Sequence, residues 1–233
     1  MALYTISDLH LPLGVNKPMD IFGSEWDNYV NRLRVNWQNT IQPGDYVVLP
    51  GDFSWATYIE QAYLDFEFLN NLNGIKFLIK GNHDYWWTTK KKLDEFIKEN
   101  NFSNIHFIQN NTYLYKDIAV CGSRLWQYPE TAANDEDLKI YHREICRLEL
   151  SLNEAMKLSP KEIILFTHYP PITQTKTQNE FTELIGKYPV SECIYGHLHA
   201  ASHKKAAEGI YNNVNYTLVS CDYRHFMPIK LRD

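Results

Sequence analysis

The stretch Ile75-Lys76-Phe77-Leu78-Ile79-Lys80-Gly81-Asn82-His83-Asp84 decides the fold: a short apolar run with the length and β-branched content of a buried strand ends directly on residues of metal-ligand type. Four other segments repeat the pattern. Leu3-Tyr4-Thr5-Ile6 precedes Asp8-Leu9-His10, and Tyr46-Val47-Val48-Leu49 precedes Gly51-Asp52. Ile163-Ile164-Leu165-Phe166 precedes His168, and Cys193-Ile194-Tyr195 precedes Gly196-His197-Leu198-His199. In open α/β sheets ligands bind beyond the carboxyl ends of the strands. One rim is therefore expected to collect Asp8, His10, Asp52, Asn82, His83, His168, His197 and His199.

So many polar groups at one edge need a common partner, because buried carboxylates repel one another and neutral imidazoles carry free lone pairs. A pair of divalent cations answers both needs. A single carboxylate bridges two metals at the separation of roughly 3.5 to 4 Å used by two-metal hydrolytic sites, and Asp52 is the candidate bridge.

Any one of these motifs is common by chance, but all five in order, each after a strand, are a specific signal. The series Asp8-Leu9-His10, Gly51-Asp52, Gly81-Asn82-His83-Asp84, His168 and Gly196-His197-Leu198-His199 resembles the calcineurin-like metallophosphoesterase superfamily. The wording of Pro50-Gly51-Asp52-Phe53-Ser54-Trp55 and of Lys80 to Trp87 resembles its bacterial branch of phosphohydrolases without an assigned substrate. The resemblance spans residues 8 to 199. It implies a layered α/β sandwich, four layers deep (α-β-β-α), with two central mixed sheets flanked by helices. It also implies a ligand set in which Asp8, His10 and His199 hold one metal, Asn82, His168 and His197 hold the other, and Asp52 is shared. The implied chemistry is hydrolysis of phosphate mono- or diesters by a metal-activated hydroxide. In this reading His83 is the general acid, and Asp84 orients its ring or raises its pKa.

Departures from familiar branches narrow the expectation. Purple acid phosphatases carry a tyrosine ligand three residues after the bridging aspartate, where this chain has Trp55, which argues against a ferric-tyrosinate centre of that kind. Protein phosphatases and dinucleoside tetraphosphatases carry an Asp-Arg-Gly run after that aspartate and a glutamate after the third-motif histidine. This chain has Phe53-Ser54-Trp55 and Asp84 there, which favours a phosphodiesterase or small-molecule phosphatase.

Composition agrees. A chain of 233 residues that is 44% hydrophobic can bury a sizeable core, and it is expected to be a single domain over 1–233. A net charge of −5 argues against an electrostatic grip on long nucleic acid. Cys121, Cys146, Cys193 and Cys221 show no Cys-x-x-Cys spacing, which suits a reducing cytosol. Met1-Ala2-Leu3-Tyr4 has no signal-peptide character, and no stretch reaches the ~20 apolar residues of a membrane span. The expected localisation is cytoplasmic. The expected cofactors are two divalent metal ions, manganese first, with iron, zinc, nickel or cobalt as alternatives; the expected partner is a small phosphorylated substrate, with no membrane, nucleic-acid or protein partner.

Between the motifs, helical periodicity predicts a helix after Ser24 as N-cap (Trp26, Tyr29, Val30, Leu33, Trp37, Ile41) and a second through Ala62, Phe66, Leu69 and Leu72. A third is expected after Trp87, with Leu93, Phe96 and Ile97 inward. Thr112–Tyr115 and Ile118–Gly122 read as a hairpin and Tyr216–Ser220 as a strand. Residues 136 to 158 read as a long helix, with Leu138, Tyr141, Ile145, Leu148, Leu152 and Met156 on one side. Arg124, just past a strand, is a candidate either to clamp a substrate phosphate bidentately or to pin a loop through a carboxylate. Tyr85-Trp86-Trp87 either stack on a leaving group or pack into the core. Lys90-Lys91-Lys92 reads as a solvated helix face, and loops 11–26, 124–137 and 170–181 are expected to set specificity. The competing functional readings are a metal-binding module without catalysis and, among enzymes, a nuclease or a protein phosphatase.

Overall fold

A computed structural model describes residues 1–128 and 134–233. Strands and helices alternate: β1 (Leu3–Thr5), α1 (Tyr29–Thr40), β2 (Tyr46–Pro50), α2 (Tyr63–Asn70), β3 (Ile75–Ile79), α3 (Lys90–Glu99) and β4 (Ile105–Phe107). After them come β5 (Thr112–Tyr115), β6 (Ile118–Ser123), α4 (Asp135–Lys157), β7 (Glu162–Thr167), α5 (Glu180–Ile185), β8 (Val190–Tyr195), β9 (Gly209–Tyr211), β10 (Val214–Leu218) and β11 (Ile229–Arg232). They form two mixed sheets, ordered β11-β1-β2-β3-β4 and β5-β6-β7-β8-β10-β9. The inner strands of each sheet are parallel, and β11, β5 and β9 are the antiparallel edges.

Strand alternation explains the layers. In β2, Val48 packs between the sheets while Val47 and Leu49 face the helices; in β7, Ile164 and Phe166 point inward between sheets while Ile163 and Leu165 face the helical side. Both faces of both sheets are thus covered, as parallel strands require. The result is an α-β-β-α sandwich. The sheets are stitched at the rim by a bridge between Ser7 and Ser220: Ser7 N–H donates to the Val219 carbonyl and Cys221 N–H to the Ser7 carbonyl, both at 3.0 Å. This stitch brings the carboxyl ends of β1, β2 and β3 against those of β7 and β8.

The helices depart from expectation in two places. Ser24 does not cap α1: Ser24–Trp26 is a single 3-10 turn, and α1 begins after Asn28, which takes a left-handed φ of 48°. The cause is Trp26, whose ring is buried edge-on against Tyr29 and Phe226 and so leaves the helical path. On α4, Met156 is exposed, whereas Glu144 and Ser151 are fully buried. Ser151 Oγ accepts from Gly122 N–H at 3.0 Å, and Glu144 accepts from Arg124 and Arg147. The buried face of α4 is thus polar where β6 leaves a donor to satisfy. Of Tyr85-Trp86-Trp87, the two tryptophans are buried in the core and Tyr85 is exposed. All four cysteines are free thiols. Residues 129–133 of the loop expected to shape specificity lie outside the described residues. Among the described residues, no helix is long and apolar enough to cross a membrane.

Lys76 of β3 is fully buried, and its ammonium donates to the Leu72 carbonyl. Burial pushes its pKa down from 10.5 to about 7. A lysine depressed in this way is deprotonated on folding between those two values, so folding is disfavoured most near and below pH 7 and least above pH 10.5. Lys76→Met is expected to raise the melting temperature at pH 7, with the gain shrinking steadily towards pH 10. Thermal unfolding across that range checks it, and a pH-independent difference would refute it.

Candidate metal centre

The candidate residues stand on strained backbone at the strand ends. Asp8, His10, Asp52 and His197 all adopt positive φ, at 60°, 46°, 53° and 73°, a region costly for residues with a side chain and characteristic of functional sites. Two glycines make the crowding possible. A Cβ on Gly81 would collide with the Asp52 carboxylate, and one on Gly196 with the Asp8 carboxylate and the Ser7 side chain. Glycine is therefore required wherever the backbone passes behind a carboxylate.

Two donor clusters meet at one atom. In the first, His10 Nε2 lies 3.3 Å from His199 Nε2, and His199 Nε2 lies 3.3 Å from Asp8 Oδ1. In the second, Asn82 Oδ1 lies 2.6 Å from His168 Nε2 and 2.9 Å from His197 Nδ1. Asp52 Oδ2 stands between them, 3.7 Å from His10 Nε2 and 3.5 Å from His168 Nε2. The other oxygen of Asp52 accepts from His83 N–H at 2.8 Å. Asp52 is thereby oriented so that one oxygen faces both clusters.

The rings are turned by partners outside the centre. His168 Nδ1 lies 3.2 Å from the Pro50 carbonyl, which fixes Nδ1 as the protonated nitrogen and points the Nε2 lone pair inward. His199 Nδ1 lies 2.9 Å from Asp222 Oδ1, with Nε2 again inward. Asp222 also accepts from Ala200 N–H at 3.1 Å and lies 3.2 Å from His203 Nε2. His10 has the buried Nδ1 as an orphan, and its ring is held instead by stacking on Trp55 at 4.6 Å.

Electrostatics follow from burial. Burial holds His168 down to about 3 and His197 down to about 4, and it also lowers His10. These rings are neutral, with lone pairs available. Burial also opposes the charge on His199, but Asp8 and Asp222 overcome it and raise His199 to about 10. For Asp8, burial is outweighed by the attraction of His199, and the carboxyl sits below its usual range; Asp52 is pushed up by burial and by the charge of Asp8. A largely buried set of carboxylates and imidazoles, with acceptor atoms facing one another, has only the proton that His199 retains to set against it. The oxygen and nitrogen donors suit divalent cations in its place, and Asp8, His10 and His199, and Asp8, Asp52 and His168, each converge closely enough to hold one.

The remaining expected residues lie around this centre. His83 has its ring 5.6 Å from His10 and 4.7 Å from Trp55, half-buried and outside both donor clusters. Asp84 faces away from that ring: its carboxylate accepts from the N–H groups of Asp52, Phe53, Ser54 and Gly81 and from Trp86 Nε1, at 2.7 to 3.2 Å. Arg124 lies off the centre, paired with Glu144 at 3.0 Å.

The matching family model, calcineurin-like phosphoesterase, covers residues 1–201. The chain belongs to this family. Calcineurin-like phosphoesterases hydrolyse phosphoesters with divalent metals held in a dinuclear centre. Solved structures share the fold at low identity. A phosphopantetheinyl hydrolase (PptH) from Mycobacterium tuberculosis matches with a TM-score of 0.60 at 13% identity, over 99% of this chain and 95% of that one. The protein TT1561 of Thermus thermophilus matches at 0.56 and 11%, over 99% and 97%. AQ665 from Aquifex aeolicus, a protein of unknown function, matches at 0.51 and 17%, over 98% and 95%. No curated protein sequence matches the chain.

Asp222 is the residue that sequence reasoning missed. The signal was present, since Asp222 follows the strand-like Tyr216–Ser220 just as the other acidic residues follow theirs. Asp222→Asn removes one of the two negative charges that hold the proton on His199, leaving Asp8, so the His199 pKa is expected to fall from about 10. Imidazole NMR titration of the full-length chain reads this directly. An unchanged titration would show that Asp222 has no hold on the ring.

Proposed function

We propose that the protein hydrolyses mono- or diesters of phosphate on small molecules, using two divalent cations shared across Asp52. The observation that carries this reading is the single carboxylate oxygen, Asp52 Oδ2, facing both donor clusters. Asp8, His10 and His199 would hold one cation, and Asn82, His168 and His197 the other, with manganese as the first choice. When bound, such a pair lowers the pKa of water and neutralises charge on the phosphoryl oxygens.

This chain's own residues supply the rest. Asp84 ties the backbone of Asp52 to that of Gly81, which fixes the bridging carboxylate against the Asn82 loop. Trp55 stacks on His10 and packs on His83, so both rings are set by one aromatic plane. Lys17 lies over the same indole, 3.1 Å from the ring centroid, and brings a positive charge to the rim. His83 is left to hold and deliver a proton: its main-chain N–H is committed to Asp52, while its ring has no hydrogen-bonded partner among the described residues. It can therefore protonate the leaving oxygen of an ester. The acidic net charge of the chain, −5, supports a small substrate over long nucleic acid.

Asp52→Asn is expected to weaken both cation sites together, because the Asp52 carboxylate would serve both. Elemental analysis after reconstitution with Mn²⁺ should give close to two metals for wild type and a loss at both sites for the variant. A single metal in wild type would overturn the dinuclear reading.

His83→Asn is expected to retain its metals and lose turnover by roughly 10²- to 10⁴-fold, the usual worth of general acid catalysis. The loss should grow with the pKa of the leaving group, since a nitrophenolate departs unprotonated and an alkoxide does not. A series of esters with graded leaving groups checks this at matched metal loading. Equal losses across the series would remove His83 from the role of acid.

A further inference from the structure

Beside the centre lies a second polar cavity, of about 350 Å³, walled by both sheets and by α4. Three cations line it, Lys80 at the end of β3, Arg124 just past β6 and Arg147 on α4, against one lining carboxylate, Glu144. Glu144 is fully buried and accepts from Arg124 Nη2 at 3.0 Å, from Arg147 Nη1 at 2.7 Å and from Ser123 Oγ at 3.1 Å. Its charge is spoken for, and two positive charges remain uncompensated among the lining residues. Arg124 keeps its buried Nε without an acceptor, and Lys80 has no hydrogen-bond or ion-pair partner for its ammonium among the described residues. A loop pin needs one arginine and one carboxylate. Two surplus cations and an orphaned guanidinium donor around open volume fit an oxyanion, since guanidinium and ammonium groups together match the oxygens of a phosphate.

The position of the cavity relates it to the centre. Lys80 immediately precedes Gly81, which packs against the Asp52 carboxylate. On the opposite sheet the Arg124 carbonyl accepts from Tyr169 N–H at 2.9 Å, one residue beyond His168. The side chains also form a continuous row. The Arg124 guanidinium lies 4.6 Å over Trp126, Trp126 lies 5.1 Å from Tyr169, and Tyr169 lies 4.0 Å from His197. Main chain and side-chain packing thus tie the cations of the cavity to the donor residues of the centre.

We infer that Lys80, Arg124 and Arg147 form an anion subsite for a second phosphate group of the substrate, so that the preferred substrates are small esters carrying two phosphates. This rests on the phosphoesterase reading for its use, but the subsite itself is testable without turnover.

In the first arm, the full-length chain, freed of divalent metal so that only protein cations can hold an anion, is titrated with inorganic phosphate and followed through tryptophan fluorescence, to which Trp87 and Trp126 contribute. Wild type should show one saturable event. Lys80→Met should weaken it by about tenfold to a hundredfold, the usual worth of a charged hydrogen bond, Arg147→Gln should weaken it similarly, and Lys80→Arg should restore it. Circular dichroism and melting temperature establish that the variants are folded. No binding by wild type, or equal binding by Lys80→Met, would overturn the subsite. In the second arm, the Mn²⁺-loaded chain is given two nitrophenyl esters, one with a single phosphate and one with a second phosphate on the leaving group. Wild type should favour the latter in kcat/KM, and Lys80→Met should erase that preference through KM. Phosphate binding without any such preference would overturn the assignment to substrate. If neither ester is hydrolysed, the phosphoesterase reading fails, while the phosphate titration still decides the cavity.

Discussion

The carboxylate of Asp84 is the constraint on which the centre depends. It is fully buried and takes five donors, four main-chain N–H groups from the loops after β2 and β3 and the indole of Trp86. Burial raises its pKa to about 6, and the backbone donors are what keep it from rising further. Three of those donors are consecutive, Asp52, Phe53 and Ser54, so the chain is forced into the sharp turn that gives Asp52 its left-handed φ. The strained turn and the aspartate that holds it thus form one device. Together with the His83 N–H on the other oxygen, it leaves the Asp52 carboxylate presenting one oxygen to two clusters.

The centre itself is assembled against its own electrostatics. Asp8 and Asp52 are both buried, and the charge of Asp8 raises the pKa of Asp52. The His10 and His199 rings face each other at 3.3 Å through nitrogens of the same kind. Close acceptors in a low-dielectric setting are tolerable only with something positive between them. In the chain alone that is the proton on His199, held by Asp8 and Asp222. Ligands that bind the folded form alone stabilise it by mass action, so cations that displace this proton and neutralise both carboxylates would also reinforce the fold around them.

What was legible in the sequence was whatever the strands themselves decide. A run such as Val47-Val48-Leu49 must be covered on both faces, and its polar successor must therefore emerge at the rim; this placed the candidate ligands and the layered architecture. The features that escaped depend on partners far away in sequence. Asp222 follows a strand as the other acidic residues do, but its role, holding the Nδ1 of a histidine 23 residues earlier, is set by that distant partner. Glu144 sits on the face of α4 that periodicity assigns to apolar residues, and Arg124, Arg147 and the Ser123 hydroxyl make its burial tolerable. Trp26 leaves the period of α1 because the space beside Tyr29 and Phe226 is a better match than the helix continuation. The edge strands β4, β9 and β11 span three or four residues each, too few for a period of two to be seen.

Trp55 serves the centre as a surface and not as a ligand. A tyrosine at that position could offer an oxygen to a metal, whereas the indole has no lone pair to give and serves as a surface. Its N–H is spent on Met19 Sδ at 2.9 Å, one face lies along His10, and Lys17 lies over the ring. The loop carrying Lys17 and Met19 is thereby tied to the centre through a single side chain. Because His83 packs on the same indole, the ligand candidate His10 and the proton donor candidate His83 share one support, and the His83 ring is placed by packing instead of by a hydrogen bond. A ring held by packing alone keeps both of its nitrogens free, the condition for a group that must give up a proton to a leaving oxygen and regain it from solvent.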